Sequence, residues 1–320
     1  MDYGFALSMA VVLGLLLLII IVGTWLNHES LADEEPVIES TDTAPEVPVE
    51  ESQNVEAGST KGEEISVEKN DTYELANVRF SQQDYQSALN LYAQSLQANP
   101  QFAPAYNNRG NTYYALGQYS QAIAEYSQAI KLKPDYTRAY YNWGNACYAS
   151  GDVQGAIAAF TEAISLDPNY IEAYNNRGNC YVAVKAYQEA IDDFDQALEL
   201  DPNFIEAYNN IGHLFYQMNQ HDNALENYEQ SLKIEPLQPV ALNNYGSVHL
   251  ALNQLPQAVE SYDQAIALNP DYAEAYYNRG IAHNTMAQPQ IAQADFRKAM
   301  ELAKQQGNQK LLYQLQSPVG

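Results

Sequence analysis

Between Lys69 and Lys304 the apolar side chains return to the same places every 34 residues. Alanine recurs at Ala88, Ala122, Ala156, Ala190, Ala224, Ala258 and Ala292, and four residues later comes an aromatic: Tyr92, Tyr126, Phe160, Phe194, Tyr228, Tyr262 or Phe296. Glycine recurs at Gly110, Gly144, Gly178, Gly212, Gly246 and Gly280, with Ala76 in the first copy. Proline closes six copies, at Pro100, Pro134, Pro168, Pro202, Pro236 and Pro270, and Lys304 stands in its place in the last. If each proline is position 32, seven units run from Lys69 to Lys304, with glycine at position 8, alanine at 20 and the aromatic at 24. Position 15 is Gly117, Gly151, Asn219 or Asn253 in four units. Such residues take the left-handed conformation that ends a helix. Proline at position 32 stops a second helix, because the residue before it is pushed out of the helical region. The reading is two helices per unit and an all-α chain.

Six mid-helix glycines cost about 6 kcal/mol in helix propensity, roughly 1 kcal/mol each relative to alanine. A larger gain must offset that. The expectation is close approach of the second helix, small at positions 20 and 27, with the aromatic at 24 filling the space between units. No unit can bury its apolar face alone, so stability comes from stacking.

This small, aromatic and proline pattern at this period resembles the tetratricopeptide repeat (TPR), over about three quarters of the chain. The resemblance implies a right-handed solenoid of seven helix–turn–helix units, approaching a full superhelical turn. The segment 305–320, with the run Lys310 to Leu315, is read as a cap over the last unit.

Positions 7 and 23 vary together. Arg109, Arg177 and Arg279 occupy position 7 in the units where position 23 is Glu125, Asp193 and Asp295. The other units pair Leu75 with Leu91, Trp143 with Ala159, Ile211 with Asn227 and Tyr245 with Ser261. Structural ion pairs between the two helices of a unit are expected at these three places.

Outside the repeats, a five-residue tail (1–5) precedes residues 6–26, which are almost wholly apolar and carry no charge. About 21 helical residues span about 31 Å, the thickness of a hydrocarbon core. Trp25 sits where an interfacial aromatic belongs. No Lys or Arg precedes the run and no small-x-small site follows, so an uncleaved single-pass membrane anchor is expected rather than a signal peptide. The short uncharged-to-acidic tail crosses a bilayer readily, which places the repeats on the cytoplasmic side. Residues 27–68 hold 13 acids against one lysine, with Pro36, Pro45 and Pro48 and no aromatic. They are expected to be a disordered acidic tether.

The chain carries 40 acids against 15 bases, a formal charge of −25. Nucleic acid is excluded as a partner, because its binding needs clustered Lys and Arg. Cys147 and Cys180 read as small buried hydrophobes. His213, His249 and His283 do not have a spacing that enforces a metal site, and no cofactor is expected. No nucleophile, base or phosphate loop marks an enzyme.

By resemblance to family members, the first helices line a groove for peptide. Position 6 is Asn108, Asn142, Asn176, Asn210, Asn244 and Asn278; position 9 adds Asn77, Asn111, Asn145 and Asn179, and position 12 adds Tyr114, Tyr148 and Tyr216. Amides both donate and accept, so such a column can pair with an extended backbone, as in the similar asparagine ladder of O-linked N-acetylglucosamine transferases. The same amides can instead bond neighbouring helices. The clamp that grips Hsp70 or Hsp90 tails needs basic residues here, and only Arg138 fits, while Glu172, Glu206 and Glu274 hold position 2 elsewhere. A neutral or basic protein segment is the expected partner. The chain thus reads as a membrane-anchored interaction scaffold or adaptor, with a self-oligomerising scaffold as the alternative. Its architecture resembles prokaryotic anchored TPR proteins, some linked to photosystem assembly, which suggests assembly of a membrane complex.

Overall fold

The protein is described from a computed structural model covering Pro36 and residues 63–316, with side chains from Asp71 onward. The segment 6–26 expected as an anchor, most of the expected tether at 27–68 and the last four residues lie outside the described residues. Among the described residues, no helix is long and apolar enough to cross a membrane.

Every described element is a helix. In chain order they are α1 (Glu63–Ser81), α2 (Tyr85–Ala98), α3 (Ala103–Ala115), α4 (Tyr119–Leu132), α5 (Thr137–Ala149), α6 (Val153–Leu166), α7 (Ile171–Ala183) and α8 (Tyr187–Leu200). There follow α9 (Ile205–Gln217), α10 (His221–Ile234), α11 (Pro239–Ala251), α12 (Leu255–Leu268), α13 (Ala273–Thr285), α14 (Pro289–Gln306) and α15 (Gln309–Gln316). Each unit contributes one odd- and one even-numbered helix, an all-α TPR solenoid architecture. The chain divides into two compact bodies, one ending at Ala207 and one beginning at Tyr208. Helix α1 begins at Glu63, so residues 63–68, expected in the disordered tether, are helical.

The turn between the helices of a unit always passes through a left-handed residue at position 15. Gly117 and Gly151 do this with φ of 70° and 88°, and Asn219 and Asn253 with 58°. Gln83, Lys185 and Ala287 adopt the same conformation without the residue type that favours it. At the other end, the residue before proline caps the second helix in an extended conformation: Asp167 has φ −135° and ψ 95°, and Asp201 φ −135° and ψ 100°. That is the region to which a following proline confines it. Where Lys304 replaces proline, α14 runs on to Gln306 and ends at the left-handed Gly307.

The glycine column has a different cause from the one its sequence suggested. A Cβ on Gly110, Gly144 or Gly178 would stand 2.6 Å from a ring carbon of Tyr126, Phe160 or Phe194. These are the position-24 rings of the same unit, so the glycines make room for a ring rather than for the alanines of the second helix. Those rings are fully buried among small residues; Phe160, for example, packs with Tyr141, Ala156, Ala163, Ala173 and both cysteines. Cys147 and Cys180 are buried and unbridged. At the C-terminal end, Leu311 and Leu312 of α15 close over Tyr277, Ile281 and Leu302. Asn308 caps α15 through the Leu311 amide and also donates to Glu274.

Candidate functional site

The amide-bearing face of the first helices is built as a seam between successive units. Asn108 donates from Nδ2 to Tyr73 Oη at 2.8 Å and to Asn77 Oδ1 at 3.0 Å in the unit before. Asn142 donates to Asn107 and Asn111 at 3.0 and 3.1 Å, and Asn176 to Tyr141 and Asn145 at 3.1 and 3.0 Å. In the second body Asn278 donates to Asn243 at 2.9 Å and to Ser247 at 3.3 Å. The rule is that position 6 of one unit donates to positions 5 and 9 of the unit before. The position-24 tyrosine of that earlier unit donates to position 9 as well, from Tyr92 to Asn77 at 2.7 Å and from Tyr126 to Asn111 at 2.9 Å.

Burial makes these bonds necessary. Asn108, Asn142, Asn244 and Asn278 have no solvent exposure, Asn210, Asn111 and Asn145 are buried as well, and Asn176, Asn77 and Asn179 are half-buried. An amide left unpaired at such depth costs about 1–3 kcal/mol. Burial also pushes the Tyr141 hydroxyl up to about 12 and those of Tyr126 and Tyr262 well above the ordinary phenol range, so all three keep their protons. Position 5, a groove position by resemblance whose residues the sequence reading did not single out, supplies half of the acceptors. Its signal was present: every unit has asparagine or tyrosine there (Tyr73, Asn107, Tyr141, Asn175, Asn209, Asn243, Tyr277).

The remaining groove candidates lie nearer water. Tyr114, Tyr148 and Tyr216 are half-buried, with Tyr114 against Tyr119 and Tyr216 against His221, ring centroids 5.5 and 5.4 Å apart. Glu172 and Glu206 are exposed, whereas Glu274 is buried and held by Asn308. His249 and His283 each bond a glutamine that opens the next helix, Gln254 at 2.6 Å and Gln288 at 2.8 Å. Among the described residues no His, Cys, Asp and Glu side chains gather as a metal site.

The three arginines each hold the acid sixteen residues on. Arg109 reaches Glu125 at 2.8–2.9 Å, Arg177 reaches Asp193 at 2.8 and 2.7 Å, and Arg279 reaches Asp295 at 3.0 and 2.6 Å. A position-4 tyrosine lies under each guanidinium: Tyr106 at 5.5 Å, Tyr174 at 5.7 Å and Tyr276 at 5.4 Å. Position 7 also reaches back one unit to position 25. Arg177 donates to Thr161 at 3.1 Å, Arg279 to Asp263, and Tyr245 to Glu229 at 2.9 Å. Burial lifts the Glu125 and Asp193 carboxyls above their usual range even with the arginine beside each.

Comparison with known proteins places this architecture. No curated protein matches the chain in sequence. Among solved structures it is similar to a tetratricopeptide repeat protein from Parabacteroides merdae, with TM-score 0.63 and 18% identity over 77% of this chain and 98% of that one. It is also similar to PilW, described as a widely conserved type IV pilus biogenesis factor, with TM-score 0.59 and 24% identity over 65% and 96%. PilF of Pseudomonas aeruginosa gives TM-score 0.56 and 20% identity over 62% and 91%. At these identities the likeness is one of fold. Family models described as TPR repeat match residues 76–117, 110–146, 144–185 and 246–286, and models described as tetratricopeptide repeat match 171–204, 205–236 and 273–306. With more than half of its length so matched, the chain belongs to the tetratricopeptide repeat family, a family of protein–protein interaction scaffolds.

Proposed function

We propose that the protein is a membrane-anchored scaffold that binds extended, neutral or basic segments of other proteins along the first helices of its repeats. Residues 6–26 form the anchor, 27–62 the tether, and the repeats lie on the cytoplasmic side. The role is holding components of a membrane complex during its assembly. The observation that carries this reading is the half-buried position-12 column, Tyr114, Tyr148 and Tyr216, on first helices whose edge bears the exposed Glu172 and Glu206. Tyrosine gives apolar contact area at low entropy cost and keeps a polar tip. The carboxylates favour a cationic over an anionic segment. The buried amides act one layer below, holding these side chains in register.

The test is affinity capture on the full chain in its own membranes, comparing wild type with Tyr114→Ala plus Tyr148→Ala. Loss of specific partners in the variant supports the reading; identical partner sets overturn it. Deleting 6–26 should move the protein from the membrane pellet to the supernatant, and continued pelleting would refute the anchor.

A further inference from the structure

The junction between units 5 and 6 departs from its sisters at two positions. Position 34, aromatic at Phe102, Tyr136, Tyr170, Phe204 and Tyr272, is Gln238. Position 4, tyrosine in the other units from the second onward, is Leu242. Positions 7 and 23 are Tyr245 and Ser261, so the arginine–acid pair is absent here, as it is in units 1, 3 and 5.

Sister junctions show what the missing groups do. Tyr106 donates from its hydroxyl to the Pro100 carbonyl at 3.3 Å, packs on the cluster that holds Leu96, and carries the Arg109 guanidinium on its face. At the 5/6 junction the same repeat positions are Pro236 and Leu232, and Leu242 stands where the sister units have the position-4 ring, with the Tyr245 and His249 rings lining the space beside it. A cavity of about 350 Å³ opens there, lined by Leu232, Pro236, Leu242, Tyr245, Glu260 and Ser261 among others. That size is near the small end for ligand pockets. Leu237, next to Pro236, is 68% exposed. The acid that receives Arg279 one unit later, Asp263 at position 25, has its counterpart in Glu229, which here accepts from the Tyr245 hydroxyl instead of a guanidinium. No Lys or Arg lines the cavity, while Glu260 on its wall is exposed.

We infer that this hollow is a docking site for a partner protein segment presenting a tyrosine with an arginine three residues on. The partner supplies in trans the ring and guanidinium that Tyr106 with Arg109, Tyr174 with Arg177 and Tyr276 with Arg279 supply within their own units. Leu232, Pro236 and Leu242 receive the ring, the Pro236 carbonyl receives its hydroxyl, and Glu229 and Glu260 receive the cation, a charge match that a hydrophobic or acidic segment lacks. A second copy of this chain is a poor donor, because its own Tyr-x-x-Arg pairs are engaged; Arg177 is 16% exposed and bound to Asp193. The site is also separate from the amide face. On a helix of 3.6 residues per turn, positions 4, 7 and 11 lie on the side away from positions 6, 9 and 13.

The experiment uses the full chain with labelled leucine methyl groups, titrated with a peptide of residues 171–183 carrying Cys180→Ser. The Leu232 and Leu242 methyl signals should shift at millimolar peptide, and Tyr174→Ala or Arg177→Ala in the peptide should weaken binding at least tenfold. In the protein, Leu242→Tyr rebuilds the sister ring and should abolish the response while keeping or raising Tm. Glu229→Gln keeps the hollow and should weaken binding several-fold, a check that stands even if Leu242→Tyr folds poorly. Methyl signals that stay still, or Ala-substituted peptides that bind equally, overturn the site. Tyr114→Ala plus Tyr148→Ala should leave this response intact, so its failure and that of the groove are told apart.

Discussion

Arg177 holds both carboxylate oxygens of Asp193, at 2.8 and 2.7 Å, across the two helices of unit 4. The geometry is good, yet burial still keeps the Asp193 carboxyl above its usual range. Desolvation is therefore not fully recovered by the attraction, as is common for ion pairs removed from water. Removing one partner should hurt far more than removing both. Arg177→Ala should cost about 2–4 kcal/mol, since it strands a buried carboxylate. Arg177→Leu with Asp193→Leu, the pair that unit 1 carries as Leu75 and Leu91, should stay within about 1 kcal/mol of wild type. Urea unfolding of the two singles and the double gives the cycle, and a double as unstable as the sum of the singles would refute it.

The same pair sets a pH slope. A carboxyl raised in the folded state favours the protonated form on folding. Its stability contribution is complete below the unfolded carboxylate pKa, about 4, and is lost as pH rises through the raised folded value. The stability difference between wild type and the Leu/Leu double should therefore move against wild type as pH rises across that window. Unfolding midpoints of both proteins over a pH series measure this. A difference that moves toward wild type with rising pH would contradict the direction assigned to Asp193.

The amide seam predicts which asparagines are structural. Asn142 has no exposure and donates to Asn107 and Asn111, so Asn142→Ala should cost about 1–3 kcal/mol. Asn142→Asp keeps the shape but turns a donor into an anion facing two carbonyl oxygens, and should cost more. Denaturation of both variants tests the order. An aspartate variant as stable as wild type would mean that this amide is not buried in the seam.

The period, the two helices per unit and the partners of the three arginines could all be read from one chain, because duplication makes the sequence its own alignment. Arg109 with Glu125 and Leu75 with Leu91 are two answers to one packing problem, set side by side. The asparagine column was harder. Its chemistry suits a peptide backbone and a neighbouring helix equally, and only burial separates the two. Phe194 against Gly178 was obscure for a related reason: a repeat pattern shows that two positions co-occur but not which atoms meet. The α1 start was missed because Glu63 and Glu64 lie in a run of acids with few apolar side chains, the composition of a tether.

Gly178 tests the ring contact against helix propensity. Alanine there gains roughly 1 kcal/mol in propensity but sets a Cβ 2.6 Å from Phe194. Overpacking costs about 1–3 kcal/mol, so Gly178→Ala should be destabilising on balance. At Gly212 the nearest ring atoms of Tyr228 are 3.1 Å away, and the same change should be close to neutral. Thermal melts of the two variants give the ranking. A Gly178→Ala protein more stable than Gly212→Ala would show that the ring yields freely.

The left-handed turns separate backbone strain from packing. Lys185 and Ala287 hold φ of 62° and 57°, where a side chain costs about 1–2 kcal/mol, and glycine returns part of that as unfolded-state entropy. Lys185→Gly and Ala287→Gly should each stabilise by about 0.5–1 kcal/mol. Gly151 has φ of 88° and nothing within 4 Å of a built Cβ, so Gly151→Ala meets no neighbour and should lose about 1 kcal/mol from the backbone alone. Unfolding in urea at constant m-value checks all three. If Lys185→Gly destabilises, the Lys185 side chain must contribute more through its surroundings than its backbone conformation costs, and the turn would owe its shape to packing.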